Sequence, residues 1–262
     1  MKNTGFESKL TLFPYRDLQK GIAWSVTGVV FRNSNKIIDI SQALIDAQAV
    51  INKTGGSNPN IQYQVGYSTN TIWVVPSLGI DPSTGKELYL DLAGNPTYTW
   101  SSLNLRACGN TEPKYQGNFS TMFRYKTFSA NLTFGYRYGG QQYNRTLIDK
   151  VENANYQYNV DSRVYDNRWQ NPGDMAGFKG LMVTTVTQMT SRFVQDEKTL
   201  NCQNINVQYD LRSAYLKKNL GLELLTFSSS MADLFYISTV KRERGTSYPF
   251  SHNISFSLSA TF

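Results

Sequence analysis

Few residues of this 262-residue chain could do bond-making chemistry. The only histidine is His252, and there are two cysteines, Cys108 and Cys202. Neither cysteine has a neighbouring metal ligand, which excludes a zinc site of the usual kind. A nucleophile–histidine–acid apparatus would have to use His252, which stands at the start of the last strand-like segment. The expectation is a protein that is not an enzyme, with no catalytic residues, no cofactor and no metal.

Side chains that could bind a ligand are more plentiful. Trp73, Tyr89, Tyr98 and Trp100 fall in one long connecting stretch, and Trp169 lies in "RWQNPGD". Aromatic faces suit carbohydrate rings, but loop cores need aromatics too, so both uses stay open for each residue. "RWQNPGD" also reads as a loop lock in which Arg168 pairs with a carboxylate. "DPSTGKE", residues 81–87, reads as a turn built on Pro82 and Gly85. It lacks the alternating acidic ligands of a calcium loop. Asn118 and Asn131 head glycosylation patterns, but both sit inside strand-like segments, where the match is read as chance.

The elements that would position these residues are strands. Seven segments alternate apolar and polar side chains. In "YQGNFSTMFRY", Tyr115, Phe119, Phe123 and Tyr125 share one face, and Gln116, Asn118, Ser120 and Arg124 the other. Lys126 and Thr127 then turn the chain into "FSANLTFGYRY", with Phe128, Leu132, Phe134 and Tyr136 opposite Ser129, Asn131 and Thr133. The same period runs through "GFESKLTLF", "AWSVTGVVF", "NINVQYDL" and "LGLELL", the last with Leu220, Leu222 and Leu224 around Glu223. It ends in "NISFSLSATF", where Ile254, Phe256, Leu258, Ala260 and Phe262 alternate with serine and threonine.

The polar faces carry mostly Ser, Thr, Asn and Gln, whereas a soluble sandwich would show many Lys and Glu on its outer face. Charged residues are only 17% of the chain and aromatics 13%. An apolar-out, polar-in sheet of this kind is the pattern of a transmembrane β-barrel with a wet lumen. No run of about 18 apolar residues exists for a membrane-spanning helix. The formal charge of +7 is scattered apart from "KRER" at residues 241–244. With no basic stripe, nucleic acid is not an expected partner.

Connections alternate strictly between short (residues 14–21, 126–127 and 212–219) and long (32–114, 139–203 and 226–252). A barrel with tight periplasmic turns and long outside loops behaves this way. Seven strands form an open sheet that cannot hide its edges, so further strands are expected. Cys108 and Cys202 precede the third and fifth strands at the same outer end. Two strand spacings make about 9.5 Å, beyond the roughly 7 Å a disulfide tolerates. Only loop bending could join them, and the bridge stays open.

Several stretches resemble SusC/RagA-type TonB-dependent outer-membrane transporters. They are "MKNTGFE", "SLGIDPSTGKELY", "EPKYQGNFSTMFRYKTFSANLTFGYRYGG", "DNRWQNPGD", "TSRFVQDEKTLNCQNINVQYDL" and the terminal "YPFSHNISFSLSATF". They are spread over nearly the whole chain in the family's order. The resemblance implies a 22-stranded barrel plugged by an N-terminal domain, with residues 1–262 supplying its last seven strands. The plug, a TonB-box segment, a signal sequence and the earlier strands are not among these residues. It implies an active importer of oligosaccharides or peptides, energised by TonB through the plug and lidded by a SusD-like surface lipoprotein. It places the protein in outer-membrane lipid with its C-terminus periplasmic. In the terminal strand, Phe256, Leu258 and Phe262 would serve as the signal read by the assembly machinery, and the strand would close the barrel. The competing expectations are a secreted or surface glycan-binding β module and a transporter remnant without function.

Overall fold

A computed structural model describes residues 1–53, 55–155, 157, 160–241 and 253–262. His252 and residues 242–244 of the basic run lie outside them. In chain order the strands are β1 (Lys2–Asp17), β2 (Ile22–Lys36), β3 (Thr71–Val74), β4 (Ser77–Ile80), β5 (Glu87–Leu90), β6 (Pro96–Thr97) and β7 (Arg106–Asn110). They continue as β8 (Tyr115–Tyr125), β9 (Phe128–Tyr143), β10 (Val194–Leu211), β11 (Leu224–Ala232), β12 (Tyr236–Ser238) and β13 (Asn253–Thr261). Helix α1 spans Gln42–Asn52 and α2 spans Ala214–Leu220.

One antiparallel meander dominates, in the order β1-β2-β8-β9-β10-β11-β13, with β12 added against the outer part of β10. Six of the seven alternating segments are strands of this sheet; the exception is "LGLELL". It is open: β1 and β13 each keep an unpaired edge among the described residues. Pro14 sits on one of those edges, at a register shift between Leu12 and Tyr15. A residue with no N–H to give to a ladder is tolerated at such a place.

Register carries the alternation across the whole sheet. Leu12 pairs with Val26 and Tyr15 with Trp24, and Trp24 pairs with Phe123. Phe119 pairs with Phe134 and Tyr125 with Phe128, then Leu132 with Ile205 and Phe128 with Tyr209. Tyr209 pairs with Phe227, and Phe227 with Leu258. Side chains directly opposite one another share a face, so these residues form one apolar face from edge to edge. The other face is a run of hydroxyls and amides, as where Ser120 opposes Thr133, Asn131 opposes Asn206 and Ser228 opposes Ser257.

The apolar face is uncovered. Phe6, Leu10, Phe123, Phe227, Phe256 and Leu258 are all exposed. The buried apolar residues lie almost wholly in the connections; Cys202 is the one on a strand of the meander. This inverts a soluble β protein, which buries the apolar side of its sheet.

Two expectations need correction. The sixth strand is not residues 220–225. Leu220 ends α2, Gly221 takes a left-handed φ of 66° as the helix cap, and the strand begins at Leu224. Leu224 moreover pairs with Thr261 on the polar side, and Leu225 holds the apolar position. The fifth strand begins ten residues earlier than expected, at Val194. β9 and β10 thus reach 16 and 18 residues. A tilted strand needs roughly 9–11 to cross a bilayer. Their upper parts carry the long connections.

Candidate functional site

The first two long connections fold together at one end of the sheet. Val75 forms a parallel bridge with Thr190, Met189 N donates to Gly56 O at 2.8 Å and Ser191 N to Val75 O at 3.0 Å. Two small cores result. Leu147, Ile148, Val151 and Phe193 form one; Ile72, Val74 and Met189 form the other, with Trp100 and Leu105 against it. Tyr143, the last residue of β9, packs on both, so the loop body is anchored to the sheet through that ring.

A buried ion network joins the two connections. The Arg192 guanidinium donates to Glu87 Oε2 at 2.9 Å and to Glu152 Oε1 at 2.8 Å. Glu87 also accepts from Thr190 Oγ1 at 2.7 Å, and Glu152 from Thr187 Oγ1 at 2.9 Å. Burial works against the charged guanidinium. The hydrogen bonds with Glu152 and the negative charge of both glutamates outweigh it and raise its pKa above the ordinary arginine value. Lys179 sits nearby and is pushed below the usual lysine range by burial. Nothing in local spacing announces this network, because Arg192 lies 105 and 40 residues from its partners.

The five candidate ligand aromatics come to different places. Trp73 is buried, 4% exposed, with its ring edge-on to Tyr67 at 4.9 Å. Its indole N–H has no acceptor among the described residues, an omission that ordinarily costs about 1–3 kcal/mol. Tyr89 is buried at the centre of its small sheet, and burial raises its hydroxyl pKa above the ordinary value. Trp100 donates to Met189 O at 3.4 Å and packs on the second core. Trp169 lies over Gly85, where a Cβ would come within 2.5 Å of its ring, and donates to Pro82 O at 2.9 Å. Tyr98 is exposed, and its hydroxyl donates to the Asp81 carboxylate.

"RWQNPGD" thus docks on "DPSTGKE". Gly85 takes a φ of 68° there, which a side chain would strain. Asp81 accepts from Tyr98, from the Ser83 amide at 2.9 Å and from the Ser83 and Thr84 hydroxyls. These bonds, that of Tyr98 foremost, hold its carboxyl below the usual aspartate range. Arg168 is buried, but its partners are the carbonyls of Val151, Val164, Lys179 and Glu152, and the expected carboxylate is not among them. The lock closes through backbone oxygens that the irregular loop leaves without a ladder. Cys108 and Cys202 are both free thiols, and burial pushes the Cys108 thiol up.

Between the loop body and the top of the sheet lies a cleft of about 660 Å³. Trp73, Tyr63, Asn58, Asn70, Tyr143 and Arg145 are among its lining residues. Of the expected aromatics, only Trp73 reaches it. The cleft had no signature in the sequence, since its walls come from residues 58–73, 111 and 143–145 and meet only in the fold.

No family model matches the chain. Two TonB-dependent receptors of Formosa agariphila are similar in sequence. Receptor P39 is 27% identical over 132 residues, which is 48% of this chain and 12% of the receptor. Receptor P3 is 26% identical over 253 residues, covering 87% of this chain and 24% of the receptor. Among solved structures, the RagAB peptide importer in its open-open state superposes with a TM-score of 0.70 at 17% identity, over 93% of this chain and 26% of that one. The RagAB peptide transporter gives 0.69 at 20% identity, over 91% and 26%. These proteins are receptors and importers, not enzymes. Sequence and fold point the same way: the chain is similar in sequence to TonB-dependent receptors and in fold to the RagAB importer, and it spans at most about a quarter of the length of those it matches.

Proposed function

We propose that residues 1–262 form one stretch of the wall, with its outer loops, of an outer-membrane importer. The observation that carries this reading is the sheet's two continuous faces: uncovered Phe, Tyr and Leu on one, hydroxyls and amides on the other. Lipid on the first face and lumen water on the second satisfy both, and the exposed aromatic face makes the alternative of a soluble glycan-binding module costly. The unpaired edges of β1 and β13 would then pair with further strands of the barrel, since an open edge has no place in hydrocarbon. In this reading the turns at residues 18–21, 126–127 and 212–223 are periplasmic, and the loop body faces outward. Import would draw on TonB through a plug domain, with a SusD-like lipoprotein over the loops. Similarity to the RagAB peptide importer favours peptide over oligosaccharide as cargo.

The test is fractionation of the protein expressed by its host. A heat-modifiable band in the outer membrane, together with loss of oligopeptide uptake on gene deletion, is expected. A protein released into the soluble fraction without detergent contradicts the reading.

A further inference from the structure

The cleft between the loop body and the sheet holds several donors that no described residue uses, one of them a guanidinium. Among the described residues, the Trp73 indole N–H has no acceptor. The Asn58 amide and the Tyr63 hydroxyl also line the cleft, and no described residue bonds them. Arg145 lines it as well; its guanidinium gives one bond, at 3.2 Å, to Asp149 and has donors to spare. Among the described residues, no carboxylate is part of the lining, and Asp149 stands beside it on Arg145. Other lining groups are already committed: Tyr143 Oη donates to Ser57 O at 2.8 Å, and Asn60 donates to Asn52 Oδ1 at 3.3 Å.

A site of this composition selects a ligand by its oxygens. We propose that the cleft binds the carboxylate-bearing part of an oligomeric ligand, with Arg145 taking the carboxylate and Asn58 and Tyr63 taking neighbouring carbonyl or hydroxyl oxygens. Arginine suits the role because its planar fork can hold a carboxylate through two bonds. Asp149 is the carboxylate already on Arg145, and the ligand's carboxylate would compete with it there. The chemistry is shared by two sources, the C-terminus or acidic side chains of a peptide and the uronate groups of an acidic oligosaccharide. The proposal rests on the importer reading and narrows it.

The experiment uses the detergent-extracted protein from its host membrane and four probes: a tryptic digest of casein, the same digest methyl-esterified, oligogalacturonate, and its methyl ester. Binding is followed by calorimetry for the parent, Arg145→Gln and Asp149→Asn. The parent should bind the free acid of one source about tenfold tighter than the ester, the loss expected for one charged hydrogen bond. Arg145→Gln should bind acid and ester alike. Asp149→Asn should keep the preference, because it frees Arg145; a merely structural Arg145–Asp149 pair would make the two variants behave the same. The source whose acid form is preferred identifies the ligand class. Equal binding of acid and ester by the parent overturns the proposal and leaves the importer reading standing. Binding of no probe at about 1 mM, the threshold of roughly 4 kcal/mol, from a correctly inserted barrel overturns it as well.

Discussion

Phe119 of β8 stacks on Phe134 of β9, with ring centroids 4.8 Å apart and planes 20° from parallel. The two residues are direct partners in the ladder, and Phe119 remains 39% exposed. The stack is a sample of the whole apolar face: rings packed sideways against one another and open outward. Trp24 fits the same description, its indole N–H satisfied by Thr121 Oγ1 at 2.8 Å so that only ring surface meets the surroundings.

Replacing Arg192 by Met should loosen the loop body and spare the sheet. Two buried carboxylates, Glu87 and Glu152, would lose their cation, and breaking a buried pair in this way costs about 3–5 kcal/mol. Protease cleavage within residues 144–193 should rise sharply while the heat-modifiable barrel stays intact. Unchanged cleavage would mean that the two cores alone hold the connections together.

The Asp81 turn has a definite pH signature. Its carboxyl titrates below the ordinary value in the folded protein, chiefly because of Tyr98. A depressed folded-state pKa gives stability that is fully present above the unfolded value of about 3.9. That stability is lost as pH falls through the folded value. Tyr98→Phe should move the Asp81 titration, read by carbon-13 NMR, upward toward the ordinary range. A titration that does not move would remove Tyr98 as the main cause.

The thiols are expected to stay unlinked. Cys202 is 1% exposed and gives its backbone N–H to Phe235 O at 3.0 Å, and Cys108 gives its Sγ–H to Val74 O. Non-reducing gel mobility should be unchanged, with two titratable thiols after denaturation. One fast-migrating species without titratable thiols would contradict the free state.

Deleting Phe262 tests the proposed assembly signal of Phe256, Leu258 and Phe262. Phe262 is 82% exposed, so the described fold loses little without it. In a membrane interface its burial would be worth about 2 kcal/mol. Outer-membrane insertion should nevertheless drop severalfold, measured as heat-modifiable barrel in membrane fractions. Equal insertion would remove the signal role.

Legibility followed the amplitude of the alternation. The β8–β9 hairpin could be read residue by residue because large rings alternate with amides up to the turn at Lys126 and Thr127. β11 could not, because "FSSSMA" follows one aromatic residue with three serines, whereas "LGLELL" imitates a strand with a helix end and a glycine cap. The start of β10 was hidden by Asp196, Glu197 and Lys198, which break the period where the strand rises into the loop body. The loop aromatics were visible as residues and not as roles. Trp73, Tyr89 and Trp100 became core only through contacts with residues such as Tyr67 and Met189. Arg168 looked like half of an ion pair and found carbonyls, which carry no mark in a sequence.

The two-faced sheet is the central claim, and single-cysteine labelling reads it most directly. Cysteines would replace Phe119, Phe123, Leu132 and Phe134 on one face and Asn118, Asn131 and Thr133 on the other, one at a time, in a background with Cys108 and Cys202 changed to Ser. The account predicts that a lipid-soluble maleimide labels the first set and a membrane-impermeant, water-soluble one the second. The reverse pattern, or water-soluble labelling of both sets, would contradict it.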